Sequence, residues 1–452
     1  MFKRNMLIRL REWKSRETRK PLIIRGARQT GKTTAIKMFG SEYSQFLYFN
    51  LDDESDLDHF SQEFSIDQLI DSLFLVRKQR KLFSETLLFI DEIQNSAYAV
   101  KMLRYFYEKY PALNVIAAGS MLEMMTGSGQ ISFPVGRVEY LYLHPLTFGE
   151  YLGAAGESEL LEIYHSGQIP EYAHNQFLDL YHEYALIGGM PEVVNNWVQN
   201  HDVVALNPIY GSLVSSYRDD IEKYAMNGTK HEHLRHVFDT VPYSTGKRIS
   251  FARFGNSNYR TETMQAALKV LERAMLINIV YPTISKELPI LPDLRKSPKI
   301  YYLDSGLQNY ILNIQNNLIG IKDLSKIYQG RFIEQQAGMD FRNCNLLANT
   351  VPPFWVRQKR QSQAEVDFIL QLKGIIIPVE VKSGASGRLR SLNSFMDRSE
   401  NYYAVKISSE YFYETDGMCL SGKTYSIKNI PYYLIEKLND YLPEDDNCYI
   451  EF

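Results

Sequence analysis

The chain has 452 residues, 45% of them apolar, which exceeds what one hydrophobic core usually organises, so roughly two to four domains are expected. A formal net charge of -3 removes any bulk basic signature while leaving room for local basic patches, and so neither supports nor excludes a nucleic-acid partner. The three cysteines, Cys344, Cys419 and Cys448, lie far apart without a CxxC pair and indicate neither a disulfide framework nor a zinc site.

The chain opens on MFKRNMLIRLREWKSRETRK, charged throughout and without the apolar core of a signal peptide. No later run reaches the roughly 20 apolar residues that a membrane helix needs, so a cytoplasmic protein with no membrane partner is expected. Up to about residue 150, short apolar runs (PLIIRG, QFLYFNLD, TLLFIDE, NVIAAGS, VEYLYLHPL) alternate with helical stretches such as TTAIKMFG and AVKMLRYFYEKY. Fully apolar strands between amphipathic helices are the pattern of a parallel sheet covered on both faces, hence a doubly wound α/β core over 1–150. From 151 to 228 the strand pattern gives way to helix-like segments and the break Gly188-Gly189-Met190-Pro191, read as a helical lid. Between 229 and 328 the order is helix (HEHLRHVFDTV), short helix (FARFG), helix (TETMQAALKVLERA) and two strand-like runs (MLINIVYP, KIYYLD). That is the order of a winged helix, with Thr261 expected to cap the third helix. From 329 to 452 a helix (GRFIEQQAGMDF) precedes strands FWVRQ, AEVDFIL, GIIIPVEVK and YYAVKIS, predicting a second, separate α/β domain.

The strongest motif is Gly26-Ala27-Arg28-Gln29-Thr30-Gly31-Lys32-Thr33, followed by Thr34, which fits G-x-x-x-x-G-K-[ST] between a strand and a helix. Its glycines let successive backbone N–H groups curl toward phosphate oxygens, and the helix N-terminus adds partial positive charge. Lys32 is expected to reach the β- and γ-phosphates of ATP or ADP, and Thr33 to ligate Mg²⁺. A second motif, Leu87-Leu88-Phe89-Ile90-Asp91-Glu92, ends an apolar strand in two carboxylates. Asp91 would hold Mg²⁺ through its water shell, and Glu92 would polarise the attacking water.

With these residues in view the sequence resembles a large group of bacterial and archaeal AAA+ ATPases whose C-terminal half is a domain of unknown function. The strings that carry it are IIRGARQTGKTT, FIDEIQ, AAGSML, VGRV, LHPLTFGEYL, GGMPEVV, YRDDIEK, GRFIEQQ, EVDFIL and PVEVKSG, spread over nearly the whole chain. The resemblance implies an AAA+ module, a winged helix, a nuclease-like C-terminal domain and a homo-oligomer, but no cellular role. It implies that Ser120, after NVIAAG, is the polar sensor of the γ-phosphate, and that Gly189 and Pro191 pack near the adenine. For Arg137 two readings stand: an arginine that enters a neighbouring subunit's site, or a surface arginine beside the next strand.

In the last third, Glu365-Val366-Asp367 opens a strand, Glu380-Val381-Lys382 lies on the next, and Glu334 stands on the preceding helix. Residues two apart on a strand share a face, so Glu380 and Lys382 point together, and the short LQLKG connection folds the two strands antiparallel. The layout looks like the PD-(D/E)xK nuclease family. Glu334, Asp367 and Glu380 would hold Mg²⁺ or Mn²⁺ at a second metal site, Lys382 would orient the water, and Arg357, Lys359 and Arg360 would track a phosphate backbone. An active nuclease, a nuclease fold kept for binding, and an unrelated α/β domain all remain open. DNA as a partner also rests on Lys247, Arg248, Arg253 and Arg260 near the third helix of the 229–328 segment, a cluster that reads equally as a solvated face. Two functions follow: an ATPase that moves its C-terminal modules on DNA, or a nucleotide-gated switch for a protein partner.

Overall fold

The computed structural model describes residues 2–60, 64–120, 122, 133–223, 231–315, 331–358, 364–372, 374–383 and 389–442. Lys359, Arg360 and Cys448 lie outside the described residues.

Five parallel strands form the first sheet: β1 (Leu22–Arg25), β2 (Gln45–Asn50), β3 (Thr86–Asp91), β4 (Asn114–Gly119) and β5 (Glu139–Tyr142), in the order β2-β3-β4-β1-β5. Alternate residues of the apolar runs face opposite layers, which is why the strands read as unbroken hydrophobic stretches. Leu22, Ile24, Leu87 and Phe89 pack on the helices Met6–Ser15 and Lys32–Gly40. Ile23, Leu88, Ile90 and Val115 pack on Ile66–Val76 and Ala97–Lys109. The first of these helices is not evident in the sequence: its buried stripe, Met6, Leu7, Leu10 and Trp13, is hidden among charges. The chain leaves β1 for the far edge and later returns to both of its sides, so the strand order reverses there and a crevice opens at the carboxyl ends, where α/β folds bind ligands.

Helices Phe148–Ala155, Ser158–Ser166, His174–Ile187, Pro191–Asn200 and Asn207–Lys223 follow. Helices His231–Thr240 and Thr261–Arg273 come next, then an antiparallel pair β6 (Ile277–Val280) and β7 (Lys299–Tyr302). Arg260, not Thr261, is the N-cap of the helix Thr261–Arg273, and no side chain caps it. A helix Ser305–Ile311 and the buried helix Arg331–Cys344 lead to the last region. There β8 (Trp355–Val356) pairs with β9 (Glu365–Val366), and β10 (Phe368–Leu372), β11 (Ile375–Val381), β12 (Tyr403–Ser408), β13 (Tyr413–Met418) and β14 (Thr424–Pro431) form a mixed sheet ordered β10-β11-β12-β14-β13.

The C-terminal sheet packs against the regions that precede it. One continuous apolar cluster runs from Leu146 and Phe148 through Tyr181, Tyr217, Leu268, Ile300 and Phe341 to Val379, Tyr433 and Leu442. The last described segment, Tyr432–Tyr441, lies against the helix His174–Ile187, with Phe177 stacked on Tyr433 (ring centroids 5.2 Å apart) and Tyr181 on Tyr432 (6.0 Å). Among the described residues no helix is long and apolar enough to cross a membrane.

Candidate nucleotide site

The crevice beside β1 is a cavity of about 540 Å³ lined by Arg28, Gln29, Gly31, Lys32, Thr33 and Thr34 of the loop and by Glu92, together with Phe2, Arg4, Leu146, Pro191, Glu192 and Asn195. That volume lies within the ordinary range for small-ligand sites. The loop backbone takes left-handed conformations at Gln29 (φ 61°) and Gly31 (φ 92°), which turn the chain sharply into the helix Lys32–Gly40. Gly26 is required for another reason: a Cβ there would stand 2.3 Å from the carbonyl oxygen of Leu143. Ala27 is buried in the core, and Thr30 donates from Oγ1 to the Ala27 carbonyl at 3.0 Å, so these two brace the loop from beneath.

Lys32 folds over the loop, its Nζ donating to the Gly26 and Ala27 carbonyls at 3.0 and 2.8 Å. Burial lowers its pKa to about 8, with Glu92 and Asp91 pulling the other way. Thr33 Oγ1 donates to Asp91 Oδ2 at 2.6 Å, which joins the two motifs directly. Burial raises the carboxyl pKa values of both Asp91 and Glu92. Glu92 itself sits at φ 50°, an uncommon conformation for a non-glycine residue, and its backbone N–H donates to Asp91 Oδ1 at 3.1 Å. Gln94 holds the Glu92 carboxylate from Nε2 at 2.6 Å. Thr33 and Asp91 offer hard oxygens side by side, a donor set that fits Mg²⁺.

Several residues that frame the site escaped sequence reasoning. Arg4 is buried and donates to the Thr30 carbonyl (2.8 Å), the His144 carbonyl (2.7 Å) and Glu150 (2.9 Å). Arg28 forms a two-oxygen contact with Asp220 (2.6 and 2.8 Å), while Tyr217 donates to the Arg28 carbonyl at 2.8 Å. The helix Asn207–Lys223 thus grips the loop through the YRDD string, whose adjacent acids gave no hint of their partner.

Other expected site residues are placed as follows. Pro191 lines the cavity, its Cγ 3.5 Å from where a Cβ on Gly31 would lie. Gly189 is engaged elsewhere: its carbonyl accepts from Leu146 N–H at 2.7 Å and its N–H donates to Asp304 at 2.7 Å. Ser120 is buried just beyond β4, next to Gly119, where a Cβ would come within 2.2 Å of Gln94 Oε1. Arg137 is exposed and paired with Glu108 at 3.0 Å, outside the cavity lining of its own chain.

The second expected metal site is corrected. Strands β10 and β11 do fold back antiparallel, and Lys382 Nζ donates to Glu380 Oε1 at 2.6 Å. Asp367, however, accepts the Val381 N–H at 2.8 Å, and Glu334 accepts from Lys299 Nζ at 2.6 Å and Tyr301 OH at 3.1 Å. Lys299 also pairs with Glu365 at 2.6 Å. Among the described residues no three His, Cys, Asp or Glu groups converge so as to hold a metal ion. Glu334 is thus held by Lys299 and Tyr301, Asp367 by the Val381 N–H and Glu380 by Lys382, so as they stand the three acids do not fit a divalent ion.

Residues 18–152 match the family model described as AAA domain. Residues 178–318 and 329–433 match two models described as domains of unknown function (DUF8612 and DUF4143). No curated protein matches the chain. Among solved structures the chain is similar to ORC1 of Aeropyrum pernix in complex with DNA (12% identity, 68% of this chain and 91% of that one, TM-score 0.30). It is also similar to AMPPCP-bound DnaA of Aquifex aeolicus (11%, 59% and 86%, TM-score 0.24) and to a single-substitution variant of RuvB from Thermotoga maritima (14%, 62% and 86%, TM-score 0.26). At these TM-scores the likeness carries no argument about function.

Proposed function

We propose that the chain binds ATP with Mg²⁺ at the cavity beside β1, hydrolyses it, and passes its nucleotide state to C-terminal modules that engage DNA. The observation that carries the reading is the 2.6 Å contact with Asp91 made by Thr33, which lines the cavity together with Lys32 and Glu92. Backbone N–H groups of the loop and of the first turn of the helix Lys32–Gly40 cradle the phosphates, and Lys32 leaves its two carbonyl partners to meet the β- and γ-oxygens. Thr33 would ligate Mg²⁺ and Asp91 would hold it through its water shell, and the ion would supply charge neutralisation at the phosphates. Glu92, oriented by Gln94, accepts the proton of the attacking water. Ser120 acts as the sensor, and Arg137, free to exchange Glu108 for a phosphate, serves the site of a second copy in a homo-oligomer.

Coupling to the rest of the chain is supported by two contacts on the loop. Asp220 and Tyr217 hold Arg28 from the helical region. Arg4 links the Thr30 carbonyl to Glu150, which accepts the Asn5 N–H at 2.6 Å, and Asn5 Nδ2 donates to Glu436 Oε1 at 2.8 Å near the chain's end. For DNA, the reading of 229–328 as a winged helix is supported by the order of the helices His231–Thr240 and Thr261–Arg273 and the antiparallel pair β6–β7; Glu262, Lys269 and Arg273 are exposed on the helix Thr261–Arg273, and Lys247, Arg248 and Arg253 line a groove in the same segment. ATP hydrolysis measured with and without linear, branched and single-stranded DNA tests the proposal. Stimulation by DNA that disappears in Lys32→Ala supports it, whereas turnover indifferent to every DNA counts against the coupling.

A second reading, a nucleotide-gated switch for a protein partner whose nuclease-like domain does not cut, is favoured by Lys299 among the carboxylates. DNA left uncut with Mg²⁺ or Mn²⁺, together with absent DNA binding, selects it.

A further inference from the structure

A groove of about 490 Å³ is lined by residues of the turn Val241–Ser244 and of the stretch 247–256, and its charged side chains are Lys247, Arg248 and Arg253. No acidic residue belongs to that lining. Arg248 is committed to Glu365 at 3.2 Å, whereas Lys247 and Arg253 are exposed and form no ion pair among the described residues. The backbone beneath them is fixed. The N–H groups of Gly246 and Ile249 donate to the carbonyls of Ile300 and Pro298 at 3.2 and 2.8 Å, so Lys247 rides on the edge of β7. Arg253 holds a φ of 55°, uncommon for a residue with a side chain. Tyr243 completes the wall: it is 62% exposed, and its side chain has no hydrogen bond or ring contact among the described residues. Its turn is nevertheless anchored, because Val241 and Pro242 are buried and Gln308 Nε2 donates to the Pro242 carbonyl at 3.1 Å. A ring presented on a fixed turn loses little freedom when something stacks on it.

Unpaired cations beside a bare ring suit one chemistry: backbone phosphates alternating with bases whose faces are open. In a duplex those faces are covered by stacking, and Tyr243 would find nothing to meet. The helix Thr261–Arg273, the element with which a winged helix reads a duplex, does not compete well for phosphate. Its exposed face starts on Glu262, and its exposed cations, Lys269 and Arg273, stand only in the second half. We infer that the groove between Tyr243 and Arg253 takes single-stranded DNA, with phosphates on Lys247 and Arg253 and a base stacked on Tyr243. This rests on the reading of the C-terminal modules as DNA-engaging and narrows it from DNA in general to the unpaired strand.

The test is fluorescence anisotropy of the full chain with a labelled oligo(dT) and, separately, a labelled hairpin duplex. The oligo(dT) should bind more tightly than the hairpin. Tyr243→Ala should weaken oligo(dT) binding by about fivefold or more and leave hairpin binding within about twofold, and Tyr243→Phe, which keeps the ring, should bind oligo(dT) within about twofold of the intact chain. Lys247→Ala and Arg253→Asn, the latter a residue that accepts the left-handed backbone, should each reduce the slope of log affinity against log salt by about 0.7. A hairpin bound as tightly as oligo(dT) by the intact chain would overturn the inference and leave the broader DNA reading standing. So would a natively folded Tyr243→Ala whose oligo(dT) affinity is undiminished. Binding of neither probe would overturn the inference and the DNA reading together.

Discussion

At Lys32 the two demands on a phosphate-binding lysine conflict: burial favours the neutral amine, and the nearby Asp91 and Glu92 favour the ammonium. Burial wins in the free site, with the pKa at about 8. A bound triphosphate restores the charge, so binding takes up a proton once the pH exceeds that value. Nucleotide affinity should therefore be flat below about pH 8 and fall by up to about tenfold per pH unit above it, checked by calorimetry in buffers of differing ionisation enthalpy. Glu92→Gln should keep nucleotide binding and reduce hydrolysis by roughly 10²-fold or more; unchanged turnover would remove its role as base. Gly189→Ala has a different expected outcome from the one its loop suggested. A Cβ there would lie 2.4 Å from the Leu146 carbonyl oxygen, so a loss of roughly 1–3 kcal/mol in urea denaturation is expected, with nucleotide affinity changed little in the protein that remains folded. The fixed positions of the loop and of Asp91-Glu92 were legible because the chemistry itself dictates residue type and spacing. Arg4 and Asp220 were not, since a charged residue in a charged stretch gives no sign of a partner 26 or 192 positions away.

Among the elements, the strands of the first sheet were readable because burial on both faces leaves no polar position along them. The helix Met6–Ser15 was not, because its charges mask the stripe of Met6, Leu10 and Trp13 that packs on the sheet. The strand expected over AEVDFIL is broken at Asp367, where the carboxylate turns to the Val381 N–H and ends one ladder before the next begins. The helix Asn207–Lys223 is the element that most directly reads the loop, through Arg28 and Asp220. The side chain of Arg28 is 42% exposed and that of Asp220 7%, so the pair sits between a surface ion pair and a buried one. A double-mutant cycle with Arg28→Ala and Asp220→Ala should give a coupling energy of about 1 kcal/mol in stability. Zero coupling would mean that the helix does not sense the loop by this contact.

Across the whole molecule, changes of periodicity in the sequence marked out regions, but periodicity does not report which of their apolar faces meet. The helical region, the β6–β7 module and the second sheet share one apolar cluster, and Glu436 ties the last described segment to the first. That carboxylate accepts from Asn5 Nδ2 (2.8 Å), Gly149 N–H (3.0 Å), Thr147 Oγ1 (3.1 Å) and Tyr164 OH (3.2 Å). Glu436→Ala takes the acceptor from Asn5, Gly149 and Thr147, while Tyr164 OH keeps the Tyr433 carbonyl at 3.0 Å, and should cost about 3 kcal/mol of stability, read as a lowered urea midpoint of the full chain. It should also weaken nucleotide-dependent stabilisation, since Glu436 is joined through Asn5, Glu150 and Arg4 to the loop carbonyl of Thr30. The central claim is that the cavity beside β1 takes a nucleoside triphosphate, and isothermal calorimetry of ATP and ADP with Mg²⁺ tests it most directly. The account predicts saturable binding at one site per chain that is lost in Lys32→Ala; no heat of binding in the natively folded chain, or binding undiminished by that substitution, would contradict it.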